Sequence, residues 1–118
     1  MKLFDSEWRV MEVLWDRGDC TAKELSLQLT ELAGWNKNTT YTVIKKCVEK
    51  GAIERRDPGF CCHACITKEQ AQQEQADTLV DKFFGGSAEL LMASLLRGRK
   101  LSRTELERLR ALVEEQET

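Results

Sequence analysis

The sequence predicts a mainly α-helical chain with one small β-hairpin, three helices before the hairpin and three after it. Three observations carry this reading. Apolar residues recur at helical spacing up to Gly51 and again beyond Thr67. Between these stretches, Ala52–Arg56 and Phe60–Thr67 read as short strands around an Asp57-Pro58-Gly59 turn, in which Pro presets one dihedral and Gly takes the strained one. Helix start and stop residues also stand where the periodicity requires them.

The first helix starts near Asp5 or Ser6, buries Trp8, Met11, Leu14 and Trp15, and is closed by Gly18. Thr21 opens the second, with Glu24 completing a capping box. Its apolar side is Ala22, Leu25, Leu29 and Leu32, and Gly34 is placed as its stop. Asn36 caps the third, whose apolar side is Val43, Ile44, Cys47 and Val48, and Gly51 ends it. Three helices followed by a hairpin is the order of a winged helix-turn-helix domain. Thr67 with Gln70 opens a polar fourth helix running to about Phe84, broken by Gly85-Gly86. Ser87 caps a short apolar fifth helix, Gly98 breaks it, and Ser102 with Glu105 opens the last, with Leu106, Leu109, Leu112 and Val113 on one face. Residues 1–67 form the expected winged-helix domain and 68–118 a helical appendage.

That appendage is too small to bury its own apolar residues. Leu79, Phe83, Phe84, Leu90, Leu91, Leu95, Leu96, Leu106 and Leu109 need a partner surface, and a second copy is the simplest one. Residues 68–118 are therefore expected to form a homodimer interface.

The third helix opens on Asn38, Thr39, Thr40, Tyr41 and Thr42. Threonine is a mediocre helix former, so stability alone does not account for this composition. Small hydroxyl and amide groups offered to base edges and phosphates would. The formal net charge of −2 argues against a protein that coats nucleic acid generally. From Asn36 to Arg56, however, Lys37, Lys45, Lys46, Lys50, Arg55 and Arg56 face only Glu49 and Glu54, a local balance of +4. A basic patch on a weakly acidic chain suits local contact with double-stranded DNA. Thr39 and Thr42 are expected to approach phosphates or thymine methyls, with Lys45 and Lys46 adding electrostatic affinity. Arg55 and Arg56 read either as backbone contacts or as a solvated hairpin edge. Trp35 is placed to staple the start of the third helix.

SEWRVMEVLW, TAKEL and WNKNTTYTVIKKCVEKGAI, with ADTLVDKFFGGSAELLMASLL and LSRTELERLRALVEE near the end, resemble the BlaI/MecI-type penicillinase repressor family. The likeness spans roughly Leu3 to Glu115. It implies a dimeric bacterial repressor on an inverted-repeat operator ahead of β-lactamase or related resistance genes, with the third helix in the major groove and the wing along the backbone. It carries the DNA-reading roles to Asn38, Thr39, Tyr41, Thr42 and Lys45, with Lys46 on a phosphate. Many members have a basic residue where this chain has Asn38 or Tyr41, which implies a different operator sequence. Some members are released when a protease cuts the dimerisation region, a point that falls near Ser94-Leu95 here, although the residues differ. A copper-responsive branch uses cysteine pairs near the C-terminus, but no cysteine follows Cys65.

Five cysteines, an odd number, argue against a disulfide framework. Cys61, Cys62, His63 and Cys65 could hold zinc or copper(I), or sense redox state. On a strand, however, Cys61, His63 and Cys65 stand about 6.5–7 Å apart in steps of two. An ion bound at about 2.0–2.3 Å could not reach all three without bending the strand. The alternative is small-residue packing in the second wing strand, and no cofactor is expected. Cys47 is expected in the core. Cys20, before a helix N-terminus, is either a more reactive thiol or a plain loop residue. One histidine, no glycine-rich phosphate loop and no nucleophile–base constellation argue against an enzyme. MKLFDSEW lacks a signal peptide's apolar core and no apolar run could span a bilayer, so the expected location is the cytoplasm, with no membrane insertion.

Overall fold

The computed structural model describes residues 1–117. Its elements are α1 (Asp5–Arg17), β1 (Cys20–Thr21), α2 (Ala22–Ala33), α3 (Lys37–Glu49), β2 (Ile53–Arg56), β3 (Cys61–Ala64), α4 (Lys68–Phe83), α5 (Ala88–Arg97) and α6 (Arg103–Glu117). Packing divides the chain after Gln75, inside α4, into two units.

In the first unit α1, α2 and α3 enclose one core. Val10, Met11 and Leu14 meet Leu25 and Leu29, and Val43, Ile44 and Cys47 close over them. Burial of each Leu or Ile contributes about 1.5–3 kcal/mol. Leu32, expected on the apolar side of α2, is instead 66% exposed. It sits in the last turn of α2, on an open cleft shared with Trp8, Glu12 and Val13 of α1. Trp8 and Trp15 are half-buried rather than core residues. Their rings meet edge to face at 5.2 Å, and the Trp15 indole N–H donates to Ile66 O at 2.9 Å.

The caps form as the sequence indicates. Thr21 Oγ1 accepts from Glu24 N–H while Glu24 Oε2 accepts from Thr21 N–H. The Thr67/Gln70 and Ser102/Glu105 pairs do the same. Gly34 ends α2 in the left-handed region at φ 70°, where a side chain would cost energy.

The hairpin β2–β3 carries a third strand that periodicity did not foresee. Among the described residues the sheet order is β1-β3-β2, all antiparallel, with Cys20 opposite Cys62 and Cys62 opposite Arg55. A two-residue strand has no sequence period, and only its pairing with β3 defines it. Directly opposed residues share a face. Cys20, Cys62 and Ile53 therefore turn toward the helices and are buried, and Thr21, Cys61, Arg56, Glu54 and His63 turn outward.

The sequence reading also missed Glu7. It stands at the third position of α1, and its Oε1 accepts from Phe4 N–H at 2.7 Å, the acidic half of a capping box. The same oxygen accepts from Lys50 Nζ at 2.6 Å, although the carboxylate is only 1% exposed. Lys50 Nζ also donates to Lys2 O at 2.7 Å and lies 4.1 Å from the centre of the Phe4 ring. Desolvation pushes the Glu7 carboxyl up. The hydrogen bonds from Lys50 and Phe4, with the charges of Lys50 and Lys46, outweigh this and hold it below its ordinary value of 4.5.

In the second unit α5 and α6 are properly capped, with Ser87 Oγ accepting from Leu90 N–H at 3.1 Å. From Ala76 to Glu117 no described residue is buried. Leu79, Phe83, Leu90, Leu96, Leu106, Leu112 and Val113 are exposed, Phe83 at 66% and Leu96 at 50%. Phe84, Leu91, Leu95 and Leu109 are half-buried. Among the described residues no helix is long and apolar enough to cross a membrane.

A carboxyl with a depressed pKa contributes stability above its unfolded value and loses it as pH falls through the folded one. Glu7→Gln should therefore lower the unfolding free energy at pH 7 by on the order of 2 kcal/mol. Urea titrations across pH should show this gap to wild type narrowing below about pH 4.5.

Candidate nucleic-acid interface

The sequence builds α3 as an inserted helix with one face kept clear. Gly34, Trp35 and Asn36 form a tight turn after α2. Gly34 N–H donates to Thr30 O, Trp35 N–H to Leu29 O, and Thr30 Oγ1 to Trp35 O at 2.6 Å. Asn36 Oδ1 then accepts from Thr39 N–H at 2.8 Å, so the first turn of α3 is held by its own cap. Trp35 is half-buried against the core.

Thr40, Val43, Ile44 and Cys47 face inward. Thr40, one of the threonines crowding the start of the helix, is fully buried, and its Oγ1 donates to Asn36 O at 3.4 Å. The remaining polar residues form the outer face. Asn38, Thr42, Lys45 and Glu49 follow one another at steps of four, three and four along one strip, with Thr39 and Lys46 beside it, and all six are exposed. Among the described residues neither Lys45 nor Lys46 is in an ion pair. Their ammonium groups stand in solvent beside small acceptors and donors, an arrangement suited to an anionic, hydrogen-bonding surface.

Tyr41 differs from the other candidates. It is half-buried, and its ring meets Phe60 edge to face at 5.9 Å. Lys37 Nζ lies 5.6 Å from its centre. The two wing arginines also part company. Arg55 lies on the helix-facing side of the sheet, where its guanidinium stacks 3.8 Å from the Phe60 ring centre and its Nε reaches Asp57 Oδ1 at 3.2 Å. Arg56 points the other way, with Nε on Glu54 Oε1 at 2.8 Å and Nη1 on Asp19 Oδ2 at 3.5 Å. The Arg56 guanidinium holds the Glu54 carboxyl below the usual range. Arg55 thus shares the α3 side of the wing, while Arg56 is engaged by two carboxylates on the opposite side. Sequence reasoning missed Phe60 and Asp19. Phe60 follows a Pro-Gly turn and reads as an ordinary strand residue, and Asp19 carries no local signal.

The cysteine cluster is split by the strand. Cys62 is buried beneath the sheet, Cys61 and His63 lie on the outer face, and Cys65 is exposed beyond the strand end. His63 Nδ1 is 2.8 Å from Asp19 Oδ1. Among the described residues no three His, Cys, Asp or Glu side chains converge to hold a metal ion. Neither reading of Cys20, as a more reactive thiol or as a plain loop residue, describes its place in β1. Its side chain turns into the core opposite Cys62, and Thr21, not Cys20, caps α2. Burial, with Glu24 nearby, pushes its thiol up to about 11. Burial likewise pushes the Cys47 and Cys62 thiols up to about 12.

The model of the penicillinase repressor family matches residues 3–115. The penicillinase repressor of Staphylococcus aureus is 23% identical over 110 residues, 92% of this chain and 87% of its own length. The methicillin resistance regulatory protein MecI of Mammaliicoccus sciuri is 21% identical over 114 residues, 95% of this chain and 93% of its own. The solution structure of the DNA-binding domain of the repressor BlaI matches with a TM-score of 0.54 and 25% identity, covering 57% of this chain and 84% of that domain.

The division among the thiols can be read by maleimide labelling followed by peptide mass spectrometry. Cys65 should react fastest in the native protein and Cys61 next, whereas Cys20, Cys47 and Cys62 should react only after denaturation.

Proposed function

Since the chain belongs to the penicillinase repressor family of DNA-binding transcriptional repressors, and not to an enzyme family, we propose that it acts as a homodimer on an inverted-repeat operator. The observation that carries this is the outer strip of α3, with exposed amide, hydroxyl and ammonium groups beside a wing arginine on the same side. In the proposed complex α3 lies in the major groove. Asn38 fits the paired donor and acceptor of adenine, Thr42 the thymine methyl and Lys45 the acceptors of guanine. Thr39, Lys46 and Arg55 contact phosphates. Tyr41 supports the helix start against the wing. Arg56, held by Glu54 and Asp19, contributes less than Arg55.

Residues 1–67 would then be the DNA-reading part and 68–118 the dimerisation part, with two copies spaced for two half-sites. The exposed Leu79, Phe83, Leu90, Leu96 and Leu106 support this, because helices of 10 and 15 residues with no buried side chain gain little stability alone. The likeness to a methicillin resistance regulator supports a role in controlling resistance or stress genes in the cytoplasm. Release by a protease near Ser94-Leu95 would require α5 to unwind there, since that bond lies inside the helix.

Fluorescence anisotropy with the DNA segment preceding the protein's own gene tests the reading. Thr42→Ala and Lys46→Ala should each weaken binding about 10-fold, and Lys46→Ala should also lower the salt slope by about one. Both proteins should melt like wild type, because the side chains are exposed. Unchanged affinity in both would overturn the assignment. In sedimentation at micromolar concentration wild type should run as a dimer and Phe83→Asp as a monomer. A monomeric wild type would remove the second copy from the proposal.

A further inference from the structure

The contacts between α3 and the wing form a continuous stack. Lys37 Nζ stands over Tyr41 at 5.6 Å, Tyr41 meets Phe60 edge-on at 5.9 Å, and the Arg55 guanidinium covers Phe60 at 3.8 Å. We infer that Phe60 is a positioning residue, which holds Arg55 ready for a phosphate in fixed register with the recognition helix. The inference rests on the DNA-binding reading above and deepens it.

Two features of Phe60 single it out. Its φ is 53°, in the left-handed region that a non-glycine residue rarely adopts. That backbone turns the side chain back toward α3, where it packs against the core as a half-buried residue. Its carbonyl also accepts from Ala22 N–H at 3.0 Å, so the start of α2 anchors it from the other side. Phe60 is therefore tied to α2 through its backbone and to α3 through its ring.

Arg55 gains its orientation from this anchor. A free arginine on a hairpin of two four-residue strands would sample many rotamers and lose that freedom on binding. Stacked on Phe60, with Nε on Asp57, it has two of its directions fixed. Its terminal nitrogens enter no ion pair among the described residues and stand free for a planar, two-pronged contact with a phosphate. Among the described residues Arg56, one residue on, stands over no such ring and is paired with carboxylates.

The test compares wild type, Phe60→Leu, Phe60→Trp, Arg55→Ala, Arg55→Lys and the Phe60→Leu/Arg55→Ala double variant. Binding to the DNA segment preceding the protein's own gene is followed by anisotropy over a potassium chloride series. Leucine keeps apolar bulk without a ring and is not β-branched, so it tolerates the same backbone. Phe60→Leu and Arg55→Ala should each lose about 5- to 10-fold in affinity and about one unit of salt slope. The double variant should be no weaker than Arg55→Ala alone, the non-additivity expected of two groups acting as one. Phe60→Trp should bind like wild type. Arg55→Lys, which keeps the charge but loses the planar stack, should fall with Phe60→Leu and leaves Phe60 untouched should the leucine variant unfold. Additive losses, or a full salt slope in both Phe60→Leu and Arg55→Lys, would overturn the inference. Thr42→Ala separates the two levels. If it weakens binding while the Phe60 and Arg55 variants behave as wild type, only the positioning role falls. If wild type binds no DNA, the DNA-binding reading falls with it.

Discussion

The Glu7–Lys50 pair is the constraint on which the first unit turns. Glu7 opens α1 and Lys50 directly follows α3, so one 2.6 Å contact ties the two helices at the base of the core. The same ammonium holds the chain at Lys2 and covers Phe4. A buried ion pair adds little net stability over a well-packed apolar pair, but breaking it leaves a charge stranded. Its value is therefore geometric. It joins the end of α3 to the first turn of α1, and the Gly34–Asn36 turn sets the other end of the same helix. Between these two fixings, the side of α3 that faces solvent is determined.

From that orientation the division of the surface follows. Thr40, Val43, Ile44 and Cys47 are drawn inward, and the strip from Asn38 to Glu49 is left outward. The wing is then attached to the same frame, through β1 on one edge and through Phe60, between β2 and β3, against Tyr41. Alternation along β2 does the rest. Adjacent arginines end on opposite faces, one against an aromatic ring and one among carboxylates. Two residues alike in sequence thus differ in the charge they can offer a partner.

Much of the fold was legible in the sequence because its signals are local. Capping pairs such as Thr21 with Glu24 and Ser102 with Glu105 need only three residues' separation, and each formed as read. Gly34 needed only its left-handed backbone. Most of the missed features depend on residues far apart in the chain, although the Phe4–Glu7 half of the α1 cap is local. Burial of Glu7 requires Lys50, 43 positions away. Strand β1 exists only through β3, and the quiet thiol of Cys20 follows from the same pairing. Within the candidate site, exposure of Asn38, Thr39, Thr42, Lys45 and Lys46 followed from helical period. The opposite faces of Arg55 and Arg56 follow from strand alternation, but the half-burial of Tyr41 and the partners each arginine finds follow from a stack and a salt-bridge cluster that no period encodes.

Among the described residues beyond Ala76 there are apolar side chains but none is buried. In the proposed dimer a segment built this way would take its order from association, and association obeys mass action. Its folded fraction would then be a function of how many copies the cell contains. Two half-sites filled by one paired molecule would empty more steeply with dilution than two filled independently. Growth and division alone would then act as a graded release, and the rate of synthesis would set how long the molecule holds its place.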